Sequence, residues 1–274
     1  MKQIGTVMQN GEEKFATDIH AIDEQQRLVR RVNIANLSPT LVTLAPASVE
    51  FSPKQQVMVE QFRLLRTRVK ALSKDFQLRT ILVTSALAAE GKSTISANLA
   101  GSLSRVEGLK VLLIDFDLRR PSLHTIFGID TDMHSPSALT GEAKWQSKVY
   151  QVNQRLDVLF GFRPLEEPDR LLQSNQLEHL LNEAKSEYDV VILDSAPLLA
   201  VADTQSLVSF VDCSLFVLNA DITPIRAARE ALTMLVDKVA GCVVNRVARL
   251  KSEDYYRYSG YGYGYGYGSK HNEN

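Results

Sequence analysis

The sequence predicts an α/β fold with a doubly wound, mostly parallel sheet, and three observations predict it. From residue 79 onward, short apolar runs alternate with amphipathic stretches. The runs "RTILVTS", "LKVLLIDFD", "DVVILDS" and "CSLFVLNA" are almost continuously hydrophobic, as strands covered by helices on both faces must be. Third, "SALAAEGKST" (85–94) joins the first of these strands directly to a helix through a glycine-containing loop.

Taken in order, residues 1–50 form an N-terminal segment of unknown role. One short helix fits within "GEEKFATDIHAIDEQQRLVRRVNIANL", with "RLVRR" as a solvated face, and "TLVTLAPASVEFSP" reads as an extended connector. A helix starts at Ser52 and Pro53, with serine as N-cap and proline at the first helical position. Its apolar residues Met58, Phe62, Leu65, Val69 and Leu72 keep helical spacing. Next come the strand "RTILVTS", the helix "GKSTISANLAGSLSRV", the strand "LKVLLIDFD" and a strand "LDVLFG". The helix "NQLEHLLNEAKSEY", the strand "DVVILDS", a helix near 200–211 and the strand "CSLFVLNA" follow. The helix "IRAAREALTMLVDKV" and the strand "GCVVNRV" complete a domain spanning 51–250, and 251–274 is a flexible tyrosine-rich tail.

Composition excludes several classes. With 31 Lys and Arg against 32 Asp and Glu, the formal charge of −1 argues against a protein that binds nucleic acid through a basic excess. Cys213 and Cys242, both within apolar runs, read as buried thiols rather than a disulfide framework. The N-terminus lacks the apolar core of a signal peptide, and no uncharged apolar stretch reaches ~18 residues. The expectation is a cytoplasmic protein without a membrane span of its own.

The loop is where chemistry enters. Gly91 can bring its backbone against phosphate oxygens, and the helix start beyond it offers N–H donors to an anion. Lys92 would reach the β- and γ-phosphates and Ser93 would ligate Mg²⁺. The pattern is a deviant P-loop (Walker) motif, with Ala86 at the usual first glycine and Ala89 where glycine is common. If Ala89 takes a positive φ it is strained, at a cost of about 1–2 kcal/mol. Supporting carboxylates stand at strand ends: Asp115 and Asp117 in "LLIDFDLRRPSLH", and Asp194 in "VVILDSAP". Three carboxylates near Lys92 and Ser93 would make a magnesium–triphosphate site, with Ser93, Asp115 and Asp194 as the metal-side residues.

On "AEGKST", "LLIDFDLRRPSLH", "VVILDSAP", the helix motif "EQFRLLR" and the tyrosine-rich ending, the chain resembles the bacterial tyrosine kinases, over roughly residues 50–268. The relatives it resembles are cytoplasmic partners of exopolysaccharide chain-length determinants. The resemblance implies a P-loop NTPase fold that binds ATP and Mg²⁺ through Ala89, Glu90, Gly91, Lys92, Ser93 and Thr94. It makes Lys92, Asp115, Asp117 and Asp194 the catalytic set, with Asp115 or Asp117 as the base for an incoming tyrosine hydroxyl. Arg119 or Arg120 would neutralise the transferring phosphate or hold the loop, and Asn245 would contact adenine. Glu60, Arg63 and Arg66, spread over about 120° of one helix face, would dock neighbouring subunits into a ring.

The resemblance also makes the tail the substrate, with Tyr255, Tyr256, Tyr258, Tyr261, Tyr263, Tyr265 and Tyr267 as phosphoacceptors in trans. A Gly-rich coil of about 17 residues reaches roughly 20–25 Å, far enough to explore an adjoining subunit. The membrane-spanning portion that some relatives carry is missing from this sequence, so the resemblance implies a separate adaptor at the inner membrane, a chain-length determinant or polysaccharide co-polymerase. Two other readings stand beside this one. A partition-type P-loop ATPase would carry a signature lysine where Leu87 stands, and a non-catalytic nucleotide-binding scaffold would use the tail for self-association.

Overall fold

The computed structural model describes residues 30–76, 78–129, 144–161, 164–165, 168–172 and 175–247. The tyrosine tail lies outside the described residues, as do residues 11–29 of the stretch 11–37 expected to hold one short helix; of its described part, Arg30–Arg31 form a strand and Ile34–Asn36 a single 3-10 turn.

The strands are β1 (Arg30–Arg31), β2 (Thr80–Ser85), β3 (Val111–Phe116), β4 (Tyr150–Asn153), β5 (Leu156–Leu159), β6 (Val190–Ser195), β7 (Cys213–Asn219) and β8 (Val239–Asn245). They form one sheet in the order β1-β4-β5-β3-β6-β2-β7-β8, parallel at every pairing except the β4–β5 hairpin. The mostly parallel α/β sheet expected from the sequence is therefore the one observed. β4 and β1 were not expected, and β4 runs antiparallel to β5 because the two are joined by a tight turn at Gln154-Arg155.

The helices are α1 (Pro53–Phe76), α2 (Lys92–Leu103), α3 (Leu123–Ile126), α4 (Pro168–Leu172), α5 (Asn175–Glu187), α6 (Ala202–Val208) and α7 (Ile225–Met234). Ser52 starts α1 with a reciprocal cap: its Oγ accepts from the Gln55 N–H at 3.4 Å, while Gln55 Oε1 accepts from the Ser52 N–H at 3.1 Å. Pro53 follows at the first helical position, where a missing N–H costs nothing.

Central strands β2, β3 and β6 are buried along their whole length. One face packs against α1 and α2 through Phe62, Val69, Ile95, Leu99 and Leu103. The other packs against α4 to α7 through Leu172, Leu177, Leu181, Leu207 and Ala231. Helices on both faces leave the carboxyl ends of the strands as the open rim where such sheets bind ligands.

Residues 38–45 depart from expectation. They are not an extended connector but a series of turns whose Leu41, Val42 and Thr43 are buried in the same core as α2. Thr43 donates to the Asn98 carbonyl at 2.9 Å, and Asn98 in turn donates to the Thr40 carbonyl at 2.9 Å. The contact is close because position 101 is glycine: a Cβ there would meet Thr43 Oγ1 at 2.5 Å. Cys213 is buried as expected, but Cys242 is exposed, because β8 is an edge strand with a poorly covered surface.

Candidate active site

Strand register assembles the site. Asp115 and Asp194 are direct partners at the ends of β3 and β6, and Asp194 is also paired with Val83 in β2, two residues before the loop. The sequence positions 83, 115 and 194 thus meet on one rim.

The loop between β2 and α2 is bent by two residues in the left-handed region. Ala89 has φ 62°, the strained conformation anticipated for it, and Gly91 has φ 96°. A side chain at position 91 would also run into the Asn245 amide. Asn245 reaches across from the end of β8 and donates from Nδ2 to the Glu90 carbonyl at 3.0 Å. It clamps the loop's backbone, a role the sequence did not disclose.

Glu90 is fully buried and faces inward. Its Oε2 accepts from the Leu87 N–H at 2.7 Å, and its Oε1 accepts from the Thr223 hydroxyl. The side chain is therefore a brace between loop and the β7–α7 connection. Only the Glu90 backbone remains to face a nucleotide.

Lys92 opens α2 and is 7% exposed. Ser93 accepts a hydrogen bond from Ser122 Oγ at 2.9 Å. Asp194 Oδ1 accepts from Ser96 Oγ at 2.9 Å, whereas its Oδ2 is buried with no hydrogen-bond partner. Burial drives the Asp194 carboxyl up to about 6, against the opposing pull of the Ser93 hydroxyl, the Lys92 ammonium and the Ser96 hydroxyl. Burial and the adjacent Asp194 charge likewise hold Asp115 well above the usual carboxylate range. A buried anion with a free oxygen beside a lysine and a serine hydroxyl suits a hard cation bound together with phosphate, since Mg²⁺ takes few protein ligands and keeps waters.

Asp115, Asp117 and Asp194 lie close enough for their charges to act on one another, but among the described residues no group of three or more His, Cys, Asp and Glu side chains is arranged to hold a metal ion by itself. Asp115 is committed to the following loop, accepting from the N–H groups of Ser122 (3.0 Å), Leu123 (2.9 Å) and Asp117 (3.3 Å). Asp117, half-buried just past β3, accepts from the N–H groups of Arg119 (3.3 Å) and Arg120 (2.9 Å). Asp115 and Asp117, separable neither by spacing nor by resemblance, thus differ in surroundings. Asp115 organises the loop from below, and Asp117 stands at the rim.

Arg119 forms an ion pair with Asp203 in the first turn of α6, Nε to Oδ2 at 2.8 Å and Nη2 to Oδ1 at 3.2 Å. Of the two roles open to it, this contact is the one that holds the loop. Sequence reasoning missed Asp203, because an aspartate in a first helical turn reads as ordinary helix chemistry. Glu60 and Arg63 pair on the exposed face of α1 at 3.1 Å, while Arg66 turns inward and donates to the Ser102 carbonyl at 3.1 Å. The three motif residues therefore do not present together.

A glycine-bent loop opening a helix, with lysine and serine at its start and an aspartate at a neighbouring strand end, defines a P-loop NTPase. A family model described as an AAA domain matches residues 78–239. Tyrosine-protein kinase YwqD of Bacillus subtilis is 37% identical over 203 residues, covering 73% of this chain and 85% of that protein. The kinase domain of the Escherichia coli tyrosine kinase ETK is 27% identical with a TM-score of 0.65, over 76% of this chain and 81% of that one. The succinoglycan biosynthesis transport protein ExoP of Rhizobium meliloti is 29% identical over 214 residues, 75% of this chain but 27% of its own length. The chain belongs to the bacterial tyrosine kinase family and is a protein-tyrosine kinase. Among the described residues no helix is long and apolar enough to cross a membrane.

Proposed function

We propose that the protein is an autokinase that uses Mg-ATP to phosphorylate its own tyrosine tail in trans, within a ring-like homo-oligomer. The observation that carries this is the unpartnered, buried Oδ2 of Asp194 beside Lys92 and Ser93, in a chain that ends in seven closely spaced tyrosines. Ser93 and Asp194 would hold Mg²⁺, which neutralises charge on the β- and γ-phosphates when bound. The loop N–H groups from Ala89 to Thr94 and the Lys92 ammonium would cradle the phosphates, and Asn245, which also clamps the Glu90 carbonyl, would contact the base. The phenolic oxygen of a tail tyrosine attacks the γ-phosphorus as the bond to the β–γ bridging oxygen breaks. The phenolic proton passes to Asp117, just past β3 and more accessible than the buried Asp115, and ADP leaves.

Glu60 and Arg63, paired on the outside of α1, are the groups available to a neighbouring subunit. The match to part of ExoP supports a role in exopolysaccharide synthesis or export, with a membrane chain-length determinant protein as partner and a place at the inner membrane through that partner. The test is incubation of purified protein with γ-labelled ATP, beside a Lys92→Met control. Label in the tail supports the reading. Release of free phosphate alone points to an ATPase, and bound nucleotide with neither outcome points to a scaffold.

A further inference from the structure

We propose that Arg66 is a positioning residue for the phosphate-binding helix α2 of its own subunit. The C-terminal carbonyls of a helix have no partner within it and need one from outside. In α2 the residues just past its end supply part of this, the Arg105 N–H donating to the Ser102 carbonyl at 3.3 Å and the Val106 N–H to the Leu103 carbonyl at 2.9 Å, and three side chains add to them, two from elsewhere in the fold and one from the C-cap Ser104 itself. Arg66 Nη1 of α1 donates to the Ser102 carbonyl at 3.1 Å, Arg155 Nε of the β4–β5 turn donates to the Ser104 carbonyl at 3.1 Å, and Ser104 Oγ donates to the Gly101 carbonyl at 3.0 Å. The Arg66 contact is doubled in the opposite direction, because Ser102 Oγ donates to the Phe62 carbonyl at 3.2 Å. Phe62 is itself buried against α2.

Residues 62–66 of α1 and residue 102 of α2 are thus cross-tied twice. Both Arg66 and Arg155 place a cation where the helix is negative, and the opposite end of the same helix carries Lys92 and Ser93. A 12-residue helix is about 18 Å long and stiff, so an error in the seating of its far end moves its N-terminal N–H groups as well. Phosphate cradling depends on placement to within ~0.5 Å. Through this tie, α1 connects the exposed Glu60–Arg63 pair to the nucleotide site, with less than two helical turns between the two ends of the motif.

The inference rests on the nucleotide site proposed above and is tested by fluorescence titration of Mg-ADP into the full chain. Arg66→Met keeps the stem's packing and removes the donor and charge. It is expected to weaken Mg-ADP about three- to tenfold, and Arg66→Lys, which can still donate to Ser102, is expected to recover most of that loss. Lys70→Met, an exposed change on the same helix, should bind as wild type. Should Arg66→Met fail to fold, Ser102→Ala, which removes only the hydroxyl tie, decides: about two- to threefold weakening supports the inference. Unchanged affinity in the folded variant, or no recovery with lysine, would overturn it while leaving the site intact. Wild-type protein that binds no Mg-ADP would overturn both.

Discussion

Asp115 and Asp194 stand as register partners at the ends of two buried parallel strands, and the Lys92 ammonium offsets the burial of Asp194 only in part. Such an arrangement costs stability in the absence of ligand and is explained by what it is kept to bind.

The pair makes stability depend on pH in a defined sense. The folded-state pKa of Asp194 is about 6, above the ordinary 3.8, so the folded state favours the protonated acid. The contribution is fully present below pH ~4 and is lost as pH rises through about 6. Metal-free protein should therefore lose of order 1–3 kcal/mol across that window. Saturating Mg-ATP should remove most of the loss, as measured by chemical denaturation at pH 5 and pH 7.5. A metal-free protein equally stable at both values would contradict this.

Replacing Asp194 by asparagine separates stability from function. The amide keeps an acceptor for Ser96 Oγ and removes the buried charge, so the melting temperature without ligand should rise by several degrees at pH 7.5. Thermal stabilisation by Mg-ATP should disappear in the same variant. Calorimetric scans with and without nucleotide measure both.

The inward brace of Glu90 predicts a large effect from a residue that does not face the ligand with its side chain. Glu90→Ala leaves the Leu87 N–H and the Thr223 hydroxyl without their buried acceptor, at about 1–3 kcal/mol. Mg-ADP affinity should fall with stability, because the loop's left-handed bend at Ala89 loses its support. Glu90→Gln, which retains one acceptor, should lie between the two.

At Ala89 itself the expected change has the opposite sign. Ala89→Gly relieves about 1–2 kcal/mol of left-handed strain but gives back ~0.4–1 kcal/mol through a more flexible unfolded chain. The net result should be equal or slightly higher stability with undiminished Mg-ADP affinity. Gly91→Ala, at φ 96° and against the Asn245 amide, should abolish nucleotide binding.

These residues mark what was legible from sequence and what was not. The apolar runs ending in Asp115 and Asp194, and the Gly91–Ser93 joint, were readable because burial on both faces and the strand-to-helix passage leave direct compositional traces. Strain at Ala89 was legible only as a condition, because glycine is common at that loop position; the backbone supplies the positive φ. β4 was not readable, since four residues of modest hydrophobicity acquire strand character only by pairing with β5. The packing of residues 38–45 depends on Thr43 meeting Asn98, 55 positions away, and no local pattern announces such a contact. The same holds for Glu90 and Arg66: their residue types suggested outward, ligand- or partner-facing roles, and tertiary geometry turned both inward.

The tail's charge predicts how the assembly responds to its own activity. Residues 251–274 carry Lys251, Arg257 and Lys270 against Glu253, Asp254 and Glu273, and so begin neutral. Each phosphate adds about −1.5 to −2, so seven would bring the tail to roughly −10 to −14. Tails so charged repel one another and the aspartates of the site, and the proposed ring should dissociate in Mg-ATP. A variant with all seven tyrosines changed to phenylalanine should remain assembled, as read by light scattering.

The central claim, transfer from one subunit's site to another subunit's tail, is tested most directly by a mixing experiment. Wild-type sequence ending at residue 250 supplies an active site without a tail, and full-length Lys92→Met supplies a tail without an active site. Incubated together with γ-labelled ATP, they should place label on Lys92→Met at residues between Tyr255 and Tyr267, located by peptide mass spectrometry. Absence of label there, while full-length wild type labels its own tail, would contradict transfer in trans.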